Sequence, residues 1–125
     1  MKNKILVFAA IFGALSVVFG AFGAHALKSL ISEQALANWH TAVNYQIFHS
    51  LALLVLALMP ESKEVKVASW FFILGILLFS GSLYALSLRE ILNLPVSFLG
   101  PITPIGGLSF IIGWFMLLLA GLKKN

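Results

Sequence analysis

Four stretches of about twenty residues, none holding an Asp, Glu, Lys or Arg, fill most of this chain: 5–24, 41–59, 67–88 and 104–122. About twenty apolar residues in a helix cross the roughly 30 Å hydrocarbon core of a bilayer. With 61% of its 125 residues hydrophobic, the chain cannot cover a water-facing surface with polar groups. A soluble domain is nearer half apolar. Lipid must therefore be the solvent over most of the outside, and lipid admits only structures whose backbone bonds close on themselves. The expected fold is all-α: an integral membrane four-helix bundle forming one domain over residues 1–125. There is no cysteine, which excludes disulfides, thiolate metal sites and cysteine nucleophiles. The basic residues sit at segment ends and form no basic face, so nucleic acid is not an expected partner.

The connections agree. Pro60 and "ESKEVK" make a short charged turn between the second and third spans, and "REILNLPVSFLGPIT" links the third to the fourth. Thr103 followed by Pro104 reads as an oxygen cap and a first-turn residue that needs no amide donor. Ser32 followed by Glu33 and Gln34 starts a short interfacial helix between spans one and two. That helix continues unbroken into span two, because no Gly or Pro intervenes before Pro60. Trp39 is expected to anchor it at the interface. Lys2, Lys4, Lys63, Lys66, Lys123 and Lys124 fall on one side, Lys28 and Arg89 on the other. This bias places both termini in the cytoplasm. "MKNK", an apolar run and Ala24-His25-Ala26 also resemble a cleavable signal peptide. The run of about twenty residues is twice the usual length of such a core, so a retained first span is expected.

Close packing and polar contacts must hold the helices together, since lipid tails offer them no hydrophobic reason to associate. Ala9, Gly13, Ser16, Gly20 and Ala24 share a stripe on span one. Gly106, Ser109, Gly113 and Ala120 do so on span four, and Ala68, Gly75 and Ser82 on span three. The plain reading is packing inside one bundle. The alternative is a homo-oligomer.

Converted to depth, the polar side chains gather in the outer half. His49 lies near the midplane, with Asn44, Tyr45 and Gln46 outside it. Ser80, Ser82 and Tyr84 of span three and Gly106, Gly107 and Ser109 of span four lie at similar levels. The cytoplasmic half holds no ionisable group, which argues against a proton- or cation-coupled path. Tyr45 and His49, one turn apart, are expected to bond to the serines of span three. His40 and His49 are on roughly opposite faces and cannot share a metal; His49 has no facing partner for haem, and no acid lies within a span. No catalytic residue, metal or cofactor is therefore expected. The candidate ligand site is an outward-facing polar pocket built from His25, His40, Asn44, Tyr45, His49, Ser80, Ser82, Tyr84, Thr103, Gly106 and Gly107. The two glycines would leave the first amides of span four approachable by an anion.

"GAFGAHALK", "WHTAVNYQIFHSLALL", "FSGSLYAL" and "GPITPIGGLSFIIGW" occur in this order. The chain thereby resembles the domain of unknown function 423, also called uncharacterised protein family 0382, which includes animal transmembrane protein 256. The resemblance covers nearly the whole chain. It implies a multi-pass protein of the bacterial inner (cell) membrane, or of mitochondria in animals, and brings no established activity with it. It places Gly20, Gly23, His25, Trp39, Tyr45, His49, Ser80, Gly81, Ser82, Tyr84, Thr103, Pro104, Gly106, Gly107 and Trp114 in the family pattern. The expected function is non-enzymatic: envelope support, membrane-complex assembly or lipid contact. The alternative is binding or transport of a lipid, quinone or small molecule in the outer pocket. An enzyme using His49 and Tyr45 as acid and base is a third and weaker reading, because one-turn spacing of such groups is common. Expected partners are the bilayer, with a second copy or other membrane proteins left open.

Overall fold

Serine caps decide where two of the long helices start. The extended backbone of Ser32 lets its hydroxyl accept from the Ala35 amide at 3.1 Å, and α2 follows over Glu33–Leu58. It ends where Met59, next to Pro60, turns extended. Ser62 repeats the device on the Val65 amide and opens α3, Lys63–Gly75. The computed structural model describes residues 2–123, so Lys124, counted above for orientation, lies outside it. α1 covers Lys2–His25, α4 Gly81–Leu92 and α5 Ile102–Leu122. Among the described residues no strand forms.

Four helical rods are long and apolar enough to cross a membrane, the third being α3 and α4 joined through Ile76–Ser80. This joint is a π-helical turn, which the apolar pattern of 67–88 did not reveal. The third rod stops at Asn93, which takes up the left-handed conformation (φ 53°, ψ 43°) common at helix ends. The turn after α1 is a short 3-10 segment, Leu27–Ser29, and the helix expected from Ser32 is the first part of α2, continuous with the second span. The fourth rod also begins earlier than the Thr103–Pro104 pair implied. Pro101 occupies the cap position, and Pro104 falls within the first turn, where amides have no helical partner anyway. Thr103 is free to bond elsewhere.

α1 packs along α2, α5 packs along α3, and α2 joins the two pairs through the third rod. The apolar core runs through Ile5, Ala9 and Phe12 of α1, Leu53, Leu56 and Ala57 of α2, and Val65, Ala68 and Phe72 of α3. It lies toward the end bearing the chain termini. Many large apolar side chains are exposed, among them Val17, Phe48, Leu58 and Ile111. Such a surface is stable only against lipid.

Glycine notches make the α3–α5 contact close. The Phe110 ring lies over Gly75 and the Phe72 ring over Gly113, where an added methyl would overlap them. At Gly106 the α5 backbone meets the backbone of Leu78 and Phe79 inside the π turn. The small-residue stripes of spans three and four thus pack within one chain. The α1 stripe does so only in part: Ala9 and Ser16 are buried, a methyl added at Gly20 would meet Val43 at an ordinary 3.5 Å, but Gly13 has open space before it and Ala24 is exposed.

Candidate functional site

α2 carries the polar centre of the molecule. At about 100° per residue, Trp39, Ala42, Gln46, His49 and Leu53 share one face, and all five are buried. Gln46 is the hub. Its Nε2 donates to the Phe12 carbonyl at 2.8 Å, and its Oε1 accepts from the Tyr84 hydroxyl at 2.5 Å. This joins α1, α2 and α4. Trp39 sits directly above, 4.6 Å from the Tyr84 ring, and donates from its indole to the Phe19 carbonyl at 2.8 Å. It is only 3% exposed and so is not the interfacial anchor expected of it. The reason is Gly23, whose missing side chain leaves the notch that the indole fills.

The serines serve the same purpose. Ser80 leaves the π turn to donate to the Ala42 carbonyl at 2.8 Å, and Ser109 donates to Phe71 at 2.8 Å. Ser82 and Thr103 share a proton-mediated contact of 2.6 Å between α4 and α5. Toward the termini the buried hydroxyls of Ser50 and Ser69 turn back to the carbonyl one turn earlier on their own helix.

His49 does not bond to the serines of the third span, as its depth had led us to expect. Its Nδ1 lies 2.8 Å from the Tyr45 carbonyl, and its Nε2 accepts from the Trp114 indole at 3.0 Å. A carbonyl only accepts and an indole N–H only donates. The two partners together therefore select the neutral tautomer with its proton on Nδ1. The ring also stacks on Phe110 with centroids 3.7 Å apart. Tyr45 does not reach the serines either. It is 42% exposed, its ring lies against Phe79, and no hydrogen bond of its hydroxyl is found among the described residues.

The expected pocket residues separate into three sets. Ser80, Ser82, Tyr84, Thr103 and Gly106 lie within the helix contacts just described. Tyr45, His49 and Gly107 line a lateral groove of about 430 Å³ between α2 and α5, completed by Phe79, Phe110 and Trp114. His25, His40 and Asn44 are exposed, on the faces of α1 and α2 turned away from the core. The missing side chain of Gly106 leaves no opening for a ligand, because the backbone of the third rod fills that space. Gln46, Trp114 and Ser109 were absent from the expected set. One signal for Gln46 was available: it precedes His49 by one turn on the same face. Among the described residues no group of three or more His, Asp or Glu is placed to hold a metal. At the end bearing the termini, Lys123 pairs with Glu64 at 3.0 Å.

Four lipid-compatible rods, a buried apolar core and a centre of mutually bonded polar side chains define a polytopic all-α membrane protein. The family model described as "Protein of unknown function (DUF423)" matches residues 19–107, and the chain belongs to that family. It is 43% identical to the UPF0382 membrane protein YwdK of Bacillus subtilis, over 94% of this chain and 95% of the relative. A UPF0382 membrane protein of Haemophilus influenzae is 42% identical over 100% of this chain and 98% of its own length. The relative SH2409 of Staphylococcus haemolyticus is 42% identical, with 94% of each chain covered. No solved structure matches.

Proposed function

We propose that this chain is a non-catalytic multi-pass protein of the bacterial inner membrane, acting through contacts with lipid and with other membrane proteins. Both termini face the cytoplasm in this reading. The observation that carries it is the double engagement of His49, the one ionisable group buried near mid-span among the described residues. A proton carrier or general base needs a nitrogen free to exchange its proton, and both nitrogens of His49 are held by groups that do not exchange one. Proteoliposomes with a trapped pH dye should hold an imposed pH gradient as long as protein-free vesicles do. A leak that His49→Phe abolishes would defeat the reading.

The orientation has its own test, made simple by the absence of cysteine. A membrane-impermeant maleimide should label Lys28→Cys in intact spheroplasts and Lys66→Cys only after lysis. The reverse pattern would invert the bundle.

The lateral groove favours a second reading, in which a flat lipid-soluble ring such as a quinone rests between Tyr45, Phe79 and Trp114. Quenching of Trp114 fluorescence by a soluble quinone analogue in detergent, lost in Gly107→Leu, would favour it over simple lipid contact.

A further inference from the structure

At the end opposite the termini, the first turns of α2, the last turns of α4 and the segment before α5 enclose a polar cleft of about 260 Å³. Ser32, Gln34, Asn38, Ser87, Arg89 and Glu90 line it. Ser87 is the anomaly. It is only 3% exposed, yet its Oγ is the one buried side-chain polar atom without a partner among the described residues. Ser16, Ser50 and Ser69, equally buried on helices, all bond to the carbonyl one turn back. Ser87 keeps its hydroxyl unused beside the cleft. Native proteins rarely leave such a group unmatched unless a ligand or water completes it.

The surrounding charge gives the ligand's character. α2 begins at this cleft. Its capping serine satisfies the Ala35 amide, and the other first-turn amides bring the positive end of a 26-residue helix to the site. Arg89 adds a full positive charge, and Asn38, whose Oδ1 accepts from Gln34 at 3.2 Å, keeps its own amide N–H groups as donors. An anionic oxygen cluster suits this side of the cleft. Glu90 opposes it from the other side, so the lining carries both signs and no net charge. Glu33, in the first turn of α2, further disfavours a wholly anionic ligand. The apolar runs end at Leu88 and begin at Thr41, which puts the cleft at headgroup depth.

We propose that the cleft holds the headgroup of a zwitterionic aminophospholipid, its phosphate against Arg89, Asn38 and Ser87 and its ammonium against Glu90. This inference rests on the lipid-contact reading above. The test reconstitutes the full chain in nanodiscs of equal parts phosphatidylethanolamine, phosphatidylcholine and phosphatidylglycerol, then counts retained lipids by native mass spectrometry. Phosphatidylethanolamine should be retained about tenfold over the other two, a modest difference in binding free energy. Arg89→Gln, Glu90→Gln and Ser87→Ala should each reduce that preference several-fold. Lys28→Gln, at the same end but outside the cleft, should leave it intact. Equal retention of the three lipids, or a preference untouched by Ser87→Ala and Arg89→Gln, overturns the proposal. So does displacement by millimolar soluble phosphoethanolamine, which reassigns the cleft to a free amine-bearing phosphate ester. A retained lipid with an altered headgroup mass would instead overturn the non-catalytic reading, with the cleft still occupied.

Discussion

Gly106→Ala should destabilise the bundle by about 3 kcal/mol or more, while the neighbouring Gly107→Ala should gain roughly 0.5–1 kcal/mol from helix propensity. Overpacking a close contact costs about 1–3 kcal/mol when side chains can yield. Here the new methyl meets the amide nitrogen and Cα of Phe79 and the carbonyl carbon of Leu78, which are backbone atoms of the π turn and cannot rotate away. At Gly107 the same methyl meets only the Phe79 ring, at an ordinary 3.8 Å. Gly121 faces open space, and Gly121→Ala should gain roughly 0.5–1 kcal/mol from helix propensity alone. Thermal unfolding in a mild detergent, followed by tryptophan fluorescence, ranks the three variants. If Gly106→Ala and Gly107→Ala unfold together, the backbone contact between α5 and the third rod is not as close as described.

The second large effect is expected at Gln46. Hydrogen bonds between membrane helices average only about 0.6 kcal/mol and reach about 1.7 kcal/mol. Gln46 makes two of them, to Phe12 and to Tyr84. Gln46→Leu removes both and leaves the phenol of Tyr84 facing a leucine, so a loss of roughly 2 kcal/mol is expected. The Phe12 carbonyl is less affected, because Ser16 also donates to it at 2.7 Å. Adding Tyr84→Phe removes the orphaned hydroxyl and should recover about half of the loss. A double-mutant cycle of these two changes therefore yields a coupling well above the noise of such measurements, near 0.5 kcal/mol. Strict additivity would mean that the Gln46–Tyr84 bond contributes nothing to holding α4 on α2.

The sequence made the helices legible and left their partners hidden. Ser32, Glu33 and the absence of Gly or Pro before Pro60 were enough to expect one helix running into the second span, as α2 does. Start signals misled where two were available: Thr103 looked like a cap, but Pro101 ends the preceding turn first and frees the Thr103 hydroxyl for Ser82. Trp39 carried an interfacial composition signal, and the notch at Gly23 outweighed it. His49 was expected to bond to the third span and instead meets the fourth. Its partner Trp114 lies 65 positions away, and no local pattern connects the two. The candidate pocket assembled residues of similar depth without knowing their rotation, so it merged an exposed set, a packed set and a groove.

Hydropathy alone determined that this chain forms four helices through a bilayer. Unbroken apolar runs leave the backbone no acceptors but its own, and that requirement acts on each segment separately. Which face each rod turns inward was decided only by the assembled structure. A one-residue step rotates a helix face by about 100°, and the fit of the Phe72, Phe110 and Trp39 rings into Gly113, Gly75 and Gly23 selects one rotation among those the hydropathy permits.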